Sequence, residues 1–155
     1  MSQEPALTPL SLRNLSTASC AFAKCQIPAH EHADCLVIAF EGEAGNSHEH
    51  VGTFLYMLGM IAAGIAAWSP MTLVLDLRKL KYAWGDEMVQ VLGSSDVPTT
   101  VVTSDLNRNG LTSLVEQEMF AKASDWLFES LADAVAGSYL KYAALRSSSL
   151  RRPAT

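Results

Sequence analysis

The chain has 155 residues, of which 49% are hydrophobic and 17% are charged, and its formal net charge is −5. This length allows one domain with a substantial core, and the apolar content excludes a disordered chain. Because an acidic surface repels phosphate groups, nucleic acid and anionic membrane surfaces are not expected as partners.

The N-terminal residues and the cysteines bear on the compartment of the protein. Residues 1–9 contain neither the basic nor the apolar region of a secretion signal. Cys20, Cys25 and Cys35 form no Cys-x-x-Cys pair, and an odd number of cysteines cannot all pair with one another. We therefore expect a cytoplasmic protein with reduced thiols.

The first half of the chain predicts two strands and a helix after a flexible leader at residues 1–14. The strands lie at residues 20–27 and 35–40, and Glu41-Gly42-Glu43 is expected to form a turn that ends the second strand. Ser47 is expected to cap the helix that follows. That helix ends at Trp68, because the residue before Pro70 is disfavoured in helical conformation.

The second half predicts alternating strands and helices. Their expected ranges are 72–77 (strand), 85–92 (helix), 99–103 (strand), 108–115 (helix), 125–128 (edge strand) and 130–145 (helix). This order predicts an α/β fold, a mostly parallel mixed sheet of about five strands with four helices. We expect one domain over residues 15–146 and a disordered tail over residues 147–155.

The helix Val51–Trp68 carries no charged residue, which places its length at the lower limit of a membrane span. Its many glycines and alanines, and the strand that follows at once, favour a helix of an α/β domain instead. A surface helix normally presents a polar stripe to solvent, but here only Thr53, Tyr56 and glycines could form one. Either neighbouring elements cover the helix on all sides, or its outer face contacts a second copy or a partner. We favour that contact, and with it a homodimer.

Three stretches look like parts of a known family. They are Leu36–Glu43, Leu73–Tyr82 and Leu127–Val135, and with the order of elements they make residues 18–138 resemble the STAS family (sulfate transporter and anti-sigma-factor antagonist domains). The resemblance implies a regulatory module that binds another protein and catalyses no reaction.

The loop before the second crossover helix departs from that family. Regulated STAS members carry Asp-Ser there, and the serine is phosphorylated, whereas this chain has Trp84 and Gly85. Asp86 and Glu87 would place fixed negative charge where that of a phosphoserine would lie. We predict that residues Trp84, Gly85, Asp86 and Glu87 bind the partner, with Trp84 as an exposed aromatic anchor. The alternative is that Asp86 only caps the helix and Trp84 packs into the core.

All four histidines occur in His-Glu-His pairs, namely His30 with His32 and His48 with His50. On an extended segment such a pair projects from one face and could chelate zinc or copper. The strand 35–40 should hold the two pairs roughly 20 Å apart, and each pair alone offers too few ligands. We expect solvated turns without a metal or other cofactor, and keep a metal-binding protein as an alternative.

Motifs for catalysis are absent from the sequence. It has no Gly-x-Ser-x-Gly elbow and no Walker or Rossmann glycine pattern. The alternative enzyme is crotonase-like, because Gly85-Asp86 resembles the turn whose backbone N–H groups form an oxyanion hole in that family. The second glycine motif expected after Val102 is missing, and such an enzyme requires a deep apolar pocket beside Gly85. We therefore expect a protein that is not an enzyme.

Overall fold

Five strands and five helices make up the computed structural model, which describes residues 4–27 and 34–150. In chain order the elements are β1 (Ser19–Gln26), β2 (Asp34–Ala44), α1 (Gly52–Trp68), β3 (Thr72–Tyr82), α2 (Glu87–Gly93), β4 (Thr99–Val102), α3 (Arg108–Gln117), α4 (Ala123–Trp126), β5 (Leu127–Phe128) and α5 (Leu131–Leu150). The predicted α/β class is confirmed. The fifth helix, which the sequence did not predict, is the four-residue α4.

The sheet has the strand order β1-β2-β3-β4-β5. β1 is antiparallel to β2, and every other neighbouring pair is parallel. The first halves of β2 and β3 are apolar without alternation, as expected for strands that are covered on both faces. Because β2 to β5 run in one direction, their carboxyl ends meet at one edge of the sheet, which we call the carboxyl edge.

Helices pack against both faces of the sheet, and apolar side chains form a core on each face. One face packs against α1, α2 and α3 and forms the larger core, whose largest fully buried side chains include Phe40, Phe54, Met57, Ile61, Leu75, Leu80, Met88 and Leu111. The other face packs against α5 through Cys35, Val37, Val74, Val102, Ala134 and Val135. Alternate residues of β2 and β3 therefore enter different cores, which explains their continuous apolar sequence.

The predicted turn at Glu41-Gly42-Glu43 is wrong, because β2 continues through it to Ala44. Its pairing with β3 shifts register between Ala39 and Glu41, so the chain forms an irregularity within the strand and does not reverse. Gly42 has a φ of 142° and packs against Ala18, where a side chain would collide. A glycine within a strand and a glycine in a turn give the same local signal in the sequence.

The start of α1 also differs from the prediction. Helix α1 begins at Gly52, and its N-cap residue, Val51, makes no side-chain capping bond. Ser47 acts through its backbone: its carbonyl oxygen accepts hydrogen bonds from the N–H groups of His50 and Val51, both at 3.0 Å. The end of the helix at Trp68 is as predicted.

Further differences lie at the ends of the chain and near β5. A 3-10 turn, Leu12–Asn14, lies within the predicted leader, and the Leu12 side chain packs against Gly59. Helix α5 continues to Leu150 and so includes residues 147–150, which the sequence assigned to a disordered tail. The predicted strand 125–128 is reduced to β5, because α4 occupies residues 123–126.

Within the described ranges, every helix is too short or too polar to cross a membrane.

Candidate functional site

The loop between β3 and α2 carries the four residues that the sequence predicted as a binding surface. Trp84 is 66% exposed, so the alternative in which it packs into the core is wrong. Asp86 is exposed and Glu87 is partly buried, whereas Gly85 is buried. Asp86 occupies the N-cap position of α2 but makes no side-chain capping bond, so it does not serve as the predicted cap. The loop thus presents an aromatic ring beside acidic groups.

Buried contacts hold the backbone of this loop. The Tyr82 hydroxyl donates a hydrogen bond to the carbonyl oxygen of Gly85 at 3.0 Å. Gly85 has a φ of 138°, which residues with a side chain rarely adopt. A Cβ there would lie 2.7 Å from Asn46 Oδ1 and 3.0 Å from Phe54 Cζ. The loop is therefore packed against α1 and the segment that precedes it, with the Trp84 ring left exposed.

The loop between β4 and α3 adds a second exposed apolar side chain at the same edge. Leu106 is 52% exposed, and its carbonyl oxygen accepts a hydrogen bond from the Tyr82 N–H at 3.2 Å. The buried Asn107 amide donates to the carbonyl oxygens of Leu77 and Leu80. These bonds fix Leu106 beside the end of β3. We call Trp84, Asp86, Glu87 and Leu106 the carboxyl-edge surface.

Sequence reasoning missed Leu106, although a signal for it existed. Loops that follow neighbouring parallel strands meet at the same edge of a sheet. If the pairing of β3 with β4 had been predicted, the residues after Val102 would have been expected close to the loop that carries Trp84. From the sequence alone, that stretch was interpreted only as lacking a second glycine motif.

Asp86 and Glu87 give the carboxyl-edge surface its negative charge. Neither carboxylate takes part in a salt bridge among the described residues, whereas Arg108, two residues after Leu106, contacts Asp105 at 3.0 Å and Glu129 at 3.5 Å. Burial, and then the charges of Asp86 and Glu87, raise the pKa of Tyr82 to about 12. The two carboxylates of the loop thus act on the buried hydroxyl that holds it. A positively charged partner would complement this field.

The outer face of α1 is a second exposed surface, and neighbouring elements do not cover it all round. Its exposed apolar residues are Val51, Leu55, Ala62, Ala63, Ala66, Ala67 and Trp68. At 100° per residue, Leu55, Ala62 and Ala66 lie within a narrow sector of the helix. We call these three residues with Val51 the α1 stripe. Leu12 flanks it by packing against Gly59.

The histidines form no metal centre in the part of the chain that the structure describes. His50 Nε2 lies 3.6 Å from Glu43 Oε2 and 4.0 Å from Glu49 Oε2, and His48 is exposed. No three histidine, cysteine or acidic side chains of the described ranges are grouped as metal ligands. His30 and His32 lie outside the described residues.

Cys20 and Cys35 lack the environment of reactive thiols. All three are free in the described ranges. Burial raises the pKa of Cys20 to about 11 and also raises the pKa of Cys35. Neutral thiols are poor nucleophiles at physiological pH.

Comparisons with known proteins leave the site to be interpreted from its own geometry. The chain matches no model of a protein family, and no curated protein matches it. What the structure defines is an α/β protein with a mostly parallel five-stranded sheet. Its two exposed apolar surfaces, the carboxyl-edge surface and the α1 stripe, are the features from which a function is argued.

Proposed function

We propose that this chain is a regulatory, non-catalytic module that resembles STAS domains and binds another protein through the carboxyl-edge surface. The exposure of Trp84 on a loop held by buried contacts carries the proposal. A large aromatic ring on a fixed backbone loses little conformational freedom on binding, and tryptophan is enriched among residues that dominate binding energy.

The chemistry of the carboxyl-edge surface indicates what kind of surface the partner would present. Trp84 and Leu106 offer two apolar anchors, and Asp86 and Glu87 border them with negative charge. Protein interfaces commonly combine an apolar centre with a polar rim. We infer a partner with an apolar patch flanked by lysine or arginine, whose association is accelerated at low ionic strength.

The space beside Gly85 supports a binding function over a crotonase-like enzyme. An acyl-CoA pocket would have to open there, but Asn46 and Phe54 already lie within 3.0 Å of the position that a Cβ would take. These contacts argue against a thioester pocket on the side of Gly85 that a Cβ would occupy. The metal-binding alternative rests on His48 and His50 alone among the described residues, and equilibrium dialysis with zinc tests it directly.

Affinity capture followed by mass spectrometry tests the main proposal. The full chain is used as wild type, as Trp84→Ala and as Trp68→Ala, which removes the other strongly exposed tryptophan. We expect one protein to be captured by wild type and Trp68→Ala and to be depleted at least tenfold with Trp84→Ala. Denaturation curves establish that both variants are folded. A folded Trp84→Ala that captures the same protein equally well contradicts the proposal.

The α1 stripe supports a second function, self-association into a homodimer. In an antiparallel pair of α1 helices related by a twofold axis, Leu55 of each copy would lie opposite Ala66 of the other, with Ala62 near the axis. Large residues would then meet small ones on both sides, which allows the close approach that such an interface needs. The stripe is uncharged, so no like charges would be brought together. Sedimentation of the wild type should show a dimer, and a monomer at high concentration would contradict it.

A further inference from the structure

A partly buried lysine lies at the end of the sheet opposite the carboxyl edge. Lys141, on α5, donates a hydrogen bond from Nζ to the carbonyl oxygen of Thr99 at 2.9 Å, where β4 begins. Its Nζ also lies 3.6 Å from the centre of the Trp126 ring. It lines a mainly apolar cavity of about 400 Å³, together with Leu92, Val97, Pro98, Trp126 and Leu145.

Lys141 differs from the other lysines in what surrounds it. The other four lysines, Lys24, Lys79, Lys81 and Lys122, are exposed, and the first three each pair with a carboxylate. Lys141 makes no ion pair within 4.0 Å in the described ranges, and the cavity wall contains no acidic residue. The ammonium group is therefore stabilised only by a carbonyl oxygen, an aromatic face and the more distant Asp125.

This environment favours the neutral amine. Burial lowers the pKa of Lys141 to about 8, although the charge of Asp125 acts in the opposite direction. The Trp126 face also favours the charged form. Slightly above neutral pH, Lys141 thus has far more neutral amine than an ordinary lysine, and the neutral amine is the nucleophile.

We propose that Lys141 is an acylation site that takes a short acyl group from an activated carboxylic acid, either a thioester or an acyl phosphate. The Nζ lone pair attacks the carbonyl carbon and forms the C–N bond. The bond from that carbon to sulfur or to phosphate oxygen breaks, and the proton lost by the amine passes to the leaving thiolate or phosphate. The product is a neutral amide whose acyl group lies in the apolar cavity.

Acylation would change the contacts of α5. The amide N–H can still donate to Thr99, but the cation that faces Trp126 is lost. Lys141 joins α5 to α4 and to the start of β4. The modification would therefore weaken the contact between α5 and α4 far from the carboxyl-edge surface.

The test compares lysines within the folded full chain. The protein is treated at pH 8 with limiting acetyl phosphate in one arm and limiting S-acetyl-N-acetylcysteamine, a thioester, in the other. Peptide mass spectrometry then follows the occupancy of each lysine. We expect Lys141 to react at least about tenfold faster than Lys79, whose side chain is 75% exposed, in at least one arm. The arm that shows selectivity identifies the donor class. Equal or slower reaction of Lys141 in both arms overturns the proposal.

A variant that adds a negative charge near Lys141 tests whether the uncharged cavity causes its reactivity. Leu145→Glu would place a carboxylate one helical turn from Lys141 at an exposed position, so the fold is preserved and an ion pair can form. We expect the rate at Lys141 to fall severalfold, with the rate at Lys79 unchanged. An unchanged rate at Lys141 would show that the uncharged cavity is not the cause of its reactivity, and would also overturn the proposal.

Discussion

The carboxyl-edge surface and the α1 stripe are both exposed and apolar, but they are built differently. The carboxyl-edge surface brings together two loops, and hydrogen bonds donated by Tyr82 and Asn107 hold it in place. The α1 stripe comes from one regular helix and needs no such bonds. The first surface includes the acidic residues Asp86 and Glu87, whereas helix α1, which carries the second, has no charged side chain among its seventeen residues.

This difference suits the two surfaces to two kinds of contact, one with a different protein and one with a second copy of the chain. A charged rim discriminates between partners and steers their approach, so it suits a different, basic protein. An uncharged stripe with large residues at one end and small residues at the other complements itself in an antiparallel pair, so it suits a second copy. Within the carboxyl-edge surface, stability and binding should depend on different residues. The buried residues beneath the loop that carries Trp84 should control folding, and Trp84 itself should control only binding.

The largest expected effect is at Gly85. Gly85→Ala combines an unfavourable backbone conformation with collisions against Asn46 and Phe54, and we expect it to lower the free energy of unfolding by about 3 kcal/mol. Chemical denaturation measures this change. Gly45→Ala is the matched control, because its Cβ meets nothing within 4 Å, and it should change stability by less than about 1 kcal/mol. Equal effects of the two substitutions would contradict the role of Gly85 in holding the loop.

A smaller loss is expected at Asn107. Asn107→Ala leaves the carbonyl oxygens of Leu77 and Leu80 without their buried donor, and we expect about 2 kcal/mol of destabilisation. Asn109→Ala, at an exposed position of the same helix, should be neutral or slightly stabilising. If Asn107→Ala is as stable as Asn109→Ala in thermal or chemical unfolding, the β4–α3 loop is not anchored as described.

The α1 stripe should respond to a charge. Leu55 is 57% exposed, and Leu55→Lys would bring like charges into the proposed dimer contact. We expect the dissociation constant from sedimentation to rise at least tenfold, about 1.4 kcal/mol. Leu140→Lys, an equivalent change on α5, should leave it unaltered. A loss of self-association in both variants, or in neither, would place the contact elsewhere.

The smallest expected effect is at the pair of Asp76 and Arg78. Burial raises the pKa of Asp76, but hydrogen bonds from Arg78 and its charge lower it more, so the net pKa lies below the ordinary value. A lowered pKa stabilises the fold above the unfolded-state pKa and loses that contribution as the pH falls through the folded value. Asp76→Asn should therefore cost less than about 1 kcal/mol at pH 7, and this cost should shrink as the pH falls below the ordinary pKa of an aspartate. A constant difference across this range would refute the assignment.

Much of the fold could be predicted because it depends on local patterns. Helix α1 and the apolar parts of β2 and β3 are encoded by continuous runs. The β3–α2 loop was also predicted, but β3 continues five residues beyond the predicted end at Leu77, to Tyr82, so the loop is shorter than predicted. The role of Gly42 could not be predicted in the same way, because only the pairing of β2 with β3 shows that the strand continues through this glycine. Leu106 was missed for a related reason: its place beside Trp84 depends on β4 pairing with β3, which no local pattern reports.

Site-specific photo-crosslinking tests the central claim most directly. A photoreactive phenylalanine derivative is placed at position 84 of the full chain or, as a control, at the exposed Lys79, and the cells that produce the chain are irradiated. The account predicts that position 84 forms one dominant adduct with another protein and that position 79 does not form it. No protein adduct at position 84, or the same adduct at both positions, would contradict it.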